Sequence, residues 1–316
     1  MTSKNKIFSI ENKSIFVAGH NGMVGSATLN ELSKKSDQLL YVNSRILDLK
    51  NENKVLKWFK DNKPQIVIIA AAKVGGIFAN STYPVDFLEN NLRIQNNVIR
   101  ASYVTGVEKL VFLGSSCIYP KYSKQPIKEE YLLSGLLEPT NEAYAIAKIA
   151  GIKLCESYSK QYSCNFISLL PTNLYGPNDN FDPKFSHVPA ALLRRFHEAK
   201  INNQKSVLVW GTGKPRREFM HVSDLAKAIV YMTEYYSSSD PINIGTGKDI
   251  SIKQFSEIVA DVVGFDGLIT YDVSKPDGTP LKKLDISKAL SYGWKPEISL
   301  RSGIKNTYNW ALKNIF

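Results

Sequence analysis

Two groups able to move a proton stand one helical turn apart in the stretch Asn141 to Gly151, NEAYAIAKIAG: the phenol of Tyr144 and the ammonium of Lys148. A phenol ionises near pH ~10, so it gives or takes a proton at neutral pH only where a positive charge favours the phenolate. Lys148 is spaced to supply that charge. The stretch reads as helix because Ala143, Ala145, Ala147 and Ala150 are strong helix formers and the apolar residues continue at helical spacing through Leu154 and Tyr158. An ordinary amphipathic helix has the same pattern, so the elements around the pair decide whether it does chemistry.

Those elements start with Ser14 to Ala18 (SIFVA), a short apolar run ending in Gly19-His-Asn-Gly22-Met-Val-Gly25, and a helical pattern from Ser26 to Lys34. In this GxxGxxG spacing the first glycine allows a tight turn, the second lets backbone approach a pyrophosphate, and the third packs helix on strand. A dinucleotide site is expected there. The next apolar run, Leu39 to Val42, ends in Asn43-Ser44-Arg45. An NAD site usually carries Asp or Glu at this point, whereas Arg45 suits a 2′-phosphate or is a surface arginine. Asp48 and Leu49 follow where an adenine ring would be bordered. Alternation continues with strands at Gln65 to Ala70 and Lys109 to Leu113 and a helix from about Pro84 to Tyr103, the pattern of a parallel sheet covered on both faces. The last of these strands runs into Ser115-Ser116-Cys117-Ile118-Tyr119-Pro120. A strand's C-terminal end is where such sheets bind ligands, so Ser115 is a candidate donor to a substrate carbonyl.

With 316 residues and 43% apolar content the chain can bury a sizeable core in one or two domains. Its cysteines, Cys117, Cys155 and Cys164, are odd in number with no CxxC pair, which indicates neither a disulfide framework nor a zinc site and fits a reducing compartment. Residues 1 to 13 are polar and no run of ~18 apolar residues occurs, so neither a signal peptide nor a membrane span is expected and cytoplasm is. The net charge of +11 comes from scattered lysines. Tighter groups at Arg194 with Arg195, Lys214 to Arg217, and Lys282 with Lys283 suit a small anionic ligand such as a diphosphate better than nucleic acid.

Glycine turn, LGSSCIYP and YAIAK in this order resemble the extended short-chain dehydrogenase/reductases. The blocks AAAKVGGIFAN (70 to 80), LGSSCIYPK (113 to 121), EPTNEAYAIAKIAGIKLCESY (138 to 158), PTNLYGPNDNF (171 to 181), SHVPAALLRRFHEA (186 to 199) and KPDGTP (275 to 280) narrow the resemblance to the GDP-L-fucose synthase family. These are NADPH-dependent 3,5-epimerase/4-reductases of GDP-4-keto-6-deoxy-D-mannose. The resemblance implies a Rossmann-type doubly wound α/β sheet with a smaller C-terminal α/β lobe. It makes Ser115, Tyr144 and Lys148 the reductase triad, and Cys117 with His187 the epimerisation acid/base pair. Read without it, Cys117 is a small buried apolar residue and His187 a residue at a helix N-terminus. NADPH contacts are implied at Gly19, Gly22, Met23, Val24, Gly25, Arg45, Asp48, Leu49, Tyr144, Lys148, Pro171 and His187. The GDP-sugar would meet Asn173, Arg195, Trp210, Arg217 and Lys282. Some members carry arginine in place of Asn21, which leaves Arg45 with more of the 2′-phosphate here.

After Pro171 the alternation breaks into a loop, Asn173 to Pro183, and resumes at Ser206 to Trp210 and Ile242 to Ile244, with Ser223 expected as N-cap of a returning helix. The expected division is a cofactor domain at 1–172 and 217–248 and a GDP-sugar lobe at 173–216 and 249–316. The family usually pairs as homodimers through helices matching about 84 to 105 and 141 to 160. A dehydratase reading requires an acidic pair in place of Ser116 and Cys117, and a non-catalytic sensor or nucleic-acid binder should have lost Tyr144 or Lys148; neither condition holds. A 3-deoxy or heptose GDP-keto-sugar would meet nearly the same residues.

Overall fold

Each short apolar run of the first half forms a strand, and each longer stretch between them a helix. The computed structural model describes residues 5–183, 185–275 and 277–316. In chain order come β1 (Ile15–Ala18), α1 (Met23–Leu32), β2 (Leu39–Leu40), α2 (Glu52–Asn62), β3 (Ile66–Ile69), α3 (Ile77–Thr82), α4 (Pro84–Val104), β4 (Lys109–Leu113), α5 (Glu142–Tyr162) and β5 (Phe166–Pro171). The second half adds β6 (Asn173–Tyr175), α6 (Val188–Ile201), β7 (Ser206–Trp210), β8 (Arg216–His221), α7 (Val222–Tyr235) and β9 (Ile242–Ile244). It ends with β10 (Asp249–Ser251), α8 (Ile252–Val263), β11 (Leu268–Asp272), β12 (Leu281–Lys282), α9 (Ser287–Ser291) and α10 (Leu300–Asn314).

Six strands make one parallel sheet in the order β2-β1-β3-β4-β5-β9. Successive strand residues point to opposite faces, and both faces are apolar. Phe16, Val67, Ile69, Leu110 and Phe112 pack with Val55 and Phe59 of α2, Val98 and Ile99 of α4, and Ile152 and Cys155 of α5. Ile15, Val17, Ile66, Ile68 and Val111 pack with Leu32 of α1 and Leu225, Ile229 and Met232 of α7. At ~1.5–3 kcal/mol for each large side chain removed from water, these two layers dominate the sheet's stability and rule out a slipped register. The fold is therefore a Rossmann-type doubly wound sheet with a second, smaller α/β unit, whose core lies among α6, α8 and α10.

Several boundaries differ from the sequence reading for local reasons. Helix α1 begins at Met23 rather than Ser26, because Gly22 is itself the N-cap and the glycine turn is the first turn of the helix. Asn173–Tyr175, expected as loop, is β6, drawn into pairing by β8. Strand β7 pairs with β11 and not with the six-stranded sheet. Strand β8 belongs to a small sheet with β6, β10 and β12, so the expected division at residue 217 falls inside a strand. The N-cap of α7 is His221, not Ser223: His221 is extended (φ −68, ψ 138) and its Nδ1 accepts the Ser223 N–H at 3.3 Å, which puts Ser223 inside the helix. Asp224 does stand in the first turn, where its charge suits the helix dipole. Residues 1–4 of the polar N-terminal stretch and Pro276 of KPDGTP lie outside the described residues. Among the described residues no helix is long and apolar enough to cross a membrane.

Candidate active site

The end of β4 builds the centre. Ser115, extended at φ −163 and ψ 151, caps a short 3-10 turn, Ser116–Ile118, and its Oγ accepts the Cys117 N–H at 3.2 Å. The same hydroxyl faces the Tyr144 phenol. Helix α5 brings Tyr144 there because Gly151 lets it lie against the strand: a Cβ on Gly151 would stand 2.4 Å from Phe112 Cζ. Gln95 of α4 fixes the helix along its axis by donating to the Ala147 carbonyl at 2.6 Å. Ser115, Cys117 and Tyr144 thus stand together at the strand end.

Lys148 is buried beneath them. Its Nζ donates to the Leu113 carbonyl at 2.8 Å and lies 4.9 Å from the Phe112 ring centroid and 5.8 Å from that of Tyr144. Burial pushes the ammonium down to about 8. Burial also pushes the Tyr144 phenol well above its usual value, and charge on Cys117 adds to this while Ser115 opposes it. The sequence reading had Lys148 holding the phenol's pKa down. In the structure the ammonium directs its hydrogen bond to the strand-end carbonyl, and the buried phenol keeps its proton.

Cys117 faces the opposite electrostatic balance. Burial alone would push its thiol up. The charge of Lys282, hydrogen bonds with Ser115 and Lys282, and the charge of Arg217 outweigh it and hold the thiol below its ordinary value. Lys282 Nζ donates to Cys117 Sγ at 3.5 Å. Both cations come from neighbouring strands, with Lys282 of β12 in register with Arg217 of β8. The Arg217 guanidinium donates to the carbonyls of Thr279 and Arg216. A cavity of about 20 Å³ bounded by Cys117, Gln125, Glu138 and Lys282 adjoins the thiol, and Glu138 pairs with Lys121 at 3.1 Å.

His187 is the N-cap of α6, extended at φ −79 and ψ 164, with a proline in the following turn. It faces the Gly75 backbone, and the loop before α3 is held beside it where Gly76 N–H donates to Phe185 O at 3.2 Å. The residue is open to solvent yet flanked by protein on most sides, so desolvation holds its imidazole below the ordinary value while the Gly75 backbone works the other way. Phe87 connects this wall to the centre: its ring meets the Tyr144 ring edge-on at 6.4 Å, and a Cβ on Gly75 would come within 3.1 Å of it.

The glycine turn forms a cradle that side chains would fill. Gly19 sits at φ +87, where a Cβ would stand 2.6 Å from Ala71 N, and a Cβ on Gly25 would stand 2.1 Å from Gly19 O. Gly22 caps α1 with no side chain of its own over the helix N-terminus, and half-buried Met23 and Val24 follow. These are the features a pyrophosphate needs. Arg45 is exposed beyond β2, Asp48 is exposed, Leu49 packs on the core, and Pro171 ends β5. On the smaller unit, Arg195 lies 5.6 Å from the Trp210 ring and donates to Leu208 O at 2.8 Å, with Trp210 62% exposed. Asn173 Nδ2 donates to Glu218 O at 2.8 Å.

Glu218 was not anticipated. Wholly buried, its carboxylate accepts N–H bonds from Leu284 at 2.7 Å, Gly247 at 2.9 Å and Thr246 at 2.5 Å, so one side chain ties β8, the loop after β9 and the segment after β12 together. The available signal was an acid set between two arginines, Arg216 and Arg217, and the apolar pair Phe219-Met220. Among the described residues no group of three His, Cys, Asp or Glu stands where it would hold a metal ion.

Comparison with known proteins agrees with this architecture. The model of the NAD dependent epimerase/dehydratase family matches residues 15–245. GDP-L-fucose synthase 1 of Arabidopsis thaliana is 54% identical over 99% of this chain and 98% of its own length. Among solved structures, a GDP-6-OMe-4-keto-L-xylo-heptose reductase from C. jejuni superposes with a TM-score of 0.90 at 41% identity, over 97% of this chain and 99% of that one. A GDP-L-fucose synthetase from Naegleria fowleri bound to NADP does so with 0.89 at 29% identity, over 99% and 98%. The chain belongs to the NAD dependent epimerase/dehydratase family and, within it, groups with the GDP-L-fucose synthases.

Proposed function

We propose that the pocket at the end of β4 epimerises C3 and C5 of GDP-4-keto-6-deoxy-D-mannose and reduces C4 with NADPH, giving GDP-L-fucose. The observation that carries this reading is the thiol of Cys117, held against Lys282 beside the Ser115–Tyr144 pair. A reductase alone needs no second base there. A C4 ketone makes the hydrogens on C3 and C5 acidic, because the carbanion left behind delocalises as an enolate. Cys117 is assigned to remove those protons and His187 to return them from the other face. Ser115 is assigned to hydrogen-bond the C4 oxygen, and Tyr144 to protonate it.

NADPH supplies the hydride that reduces C4. Gly19, Gly22, Met23, Val24 and Gly25 are assigned to its pyrophosphate, Arg45 to its 2′-phosphate, Asp48 and Leu49 to its adenine edge, and Lys148 to its ribose, with Pro171 and His187 bordering it. Asn173, Arg195, Trp210, Arg217 and Lys282 are assigned to the GDP-sugar. The division into a cofactor domain (1–172 and 217–248) and a sugar lobe (173–216 and 249–316) belongs to the same proposal. So does a homodimer through α4 and α5, supported by the exposed apolar side chains Val85, Tyr103, Val104, Ile146 and Tyr162 on these two helices. Three free cysteines support a reducing, cytoplasmic setting.

The test is loss of NADPH fluorescence on mixing the protein with GDP-4-keto-6-deoxymannose, with NMR identification of the product. No oxidation, or a product that keeps the manno configuration, refutes the reading. A GDP-keto-heptose consumed in preference would move the substrate and keep the chemistry.

A further inference from the structure

We propose that Lys282 is a positioning residue for the chemistry at Cys117: from β12 it holds the thiol ready as thiolate in the free protein, before any sugar arrives. This goes beyond a role for Lys282 in holding the GDP-sugar, and it rests on the reading of Cys117 as the proton-abstracting base.

Lys282 is the cation in direct contact with the sulfur, at 3.5 Å. Other groups face the thiol from each surrounding element. Ser115 bonds it from the turn, Tyr144 stands on α5, and Arg217 acts on it from β8 by charge while its guanidinium donates to Thr279 and Arg216. Glu138 and Lys121, across the small cavity, pair with each other. The backbone carrying Lys282 is fixed from two sides. On one, β12 is in register with β8 and Leu284 N–H donates to Glu218 at 2.7 Å. On the other, Lys283 N–H donates to Gln125 at 2.9 Å, Gln125 donates to Leu281 O at 3.1 Å, and Ile127 N–H donates to Lys283 O at 2.7 Å. A long flexible side chain gives a directed charge only when its root is held in this way. A thiolate, not a thiol, is the effective base, and a neighbouring ammonium is a known means of obtaining one. Burial lifts the thiol and Lys282 leads the opposing causes.

The experiment needs no sugar, so its outcome is separate from that of the proposed reaction. The intact protein is alkylated with iodoacetamide from pH ~6 to ~10, and peptide mass spectrometry follows each cysteine separately. Cys164, partly exposed and pushed up by burial, is the reference, and fully buried Cys155 reports unfolding by becoming reactive. In wild type, Cys117 should alkylate with a midpoint below that of Cys164. Lys282→Met and Lys282→Gln should slow Cys117 about tenfold near pH 7 and move its profile up by about one unit. Lys282→Arg should restore most of the rate, and Cys164 should not change in any variant. A Cys117 midpoint at or above that of Cys164 in wild type overturns the proposal whatever the variants do. A folded Lys282→Met with the wild-type profile also overturns it.

Discussion

Removing the Glu218 carboxylate should loosen the site at its hinge of three segments. Its oxygens accept backbone N–H bonds from Thr246, Gly247 and Leu284, and the Thr246 hydroxyl at 3.3 Å. In Glu218→Ala three backbone donors lose their acceptor in a wholly buried place, at ~1–3 kcal/mol each, so a loss of ~3–5 kcal/mol is expected after partial relaxation. At ~2 °C per kcal/mol for a chain of this size, the melting midpoint should fall by ~6–10 °C. Glu218→Gln keeps one acceptor and turns an N–H₂ toward a donor, so it should fall between. Because Leu284 follows the strand that carries Lys282, KM for the sugar and the Cys117 alkylation profile should shift together at temperatures where the variant is folded.

The pH dependence follows from the same geometry. Burial raises the Glu218 pKa above 4.5 despite the bonds from Leu284, Gly247 and Thr246 that lower it. A raised carboxyl pKa means the folded chain binds the proton more tightly than the unfolded chain. The stability from that proton is full below 4.5 and is lost as pH rises through the folded value. Glu218→Gln should abolish that slope. Thermal melts of wild type and both variants between pH ~4 and ~8 make the measurement. A Glu218→Ala midpoint within about a degree of wild type would refute the argument that this carboxylate joins the three segments.

Three further substitutions test the assigned roles. Arg45→Ala should raise KM for NADPH about tenfold or more while leaving KM for NADH nearly unchanged, as loss of a charge-assisted phosphate contact requires; equal effects on both cofactors would remove Arg45 from the 2′-phosphate. Tyr144→Phe should bind NADPH normally by fluorescence titration and lose ~10²-fold or more in reduction rate, and near wild-type turnover would end its role as proton donor. In deuterated water without NADPH, wild type should wash deuterium into C3 and C5 of the keto-sugar. Cys117→Ser should suppress this ~10²-fold while NADPH binding survives, and His187→Ala should permit exchange while slowing inversion; wild-type exchange in Cys117→Ser would require another base.

The main sheet was legible because its strands are short apolar runs buried on both faces, so period and length were enough to find β1, β3, β4 and β9. Helix α5 was legible from its alanines, and the glycine turn from its spacing, with Gly19 and Gly25 leaving no room for a Cβ. The small sheet was not. Strand β8 is marked by two arginines and a glutamate, polar residues that become strand only through partners distant in sequence at β6, β10 and β12. For the same reason Lys282 read as a ligand contact in a basic group, and nothing local announced that its ammonium would meet a sulfur 165 positions away. The His221 cap was missed because serine is the commoner choice and a histidine Nδ1 does the same work only when its ring turns back over the helix.

In the proposed reaction one strand end hosts two kinds of proton transfer, because the groups there are charged differently by their surroundings. Burial opposes ionisation of Cys117 while Lys282 and Arg217 favour it, and charge on that sulfur acts with burial to keep the proton on Tyr144. Ser115 stands between them, its Oγ accepting the Cys117 backbone N–H and acting on the Tyr144 phenol. In the proposed reaction the thiolate is needed first, while the phenol must stay protonated and the C4 carbonyl must persist to acidify C3 and C5. Once Cys117 has taken a proton its charge is gone, and with it one of the two causes that hold the phenol's proton so tightly. In the proposed reaction epimerisation precedes reduction because reduction removes the carbonyl that makes the neighbouring hydrogens acidic.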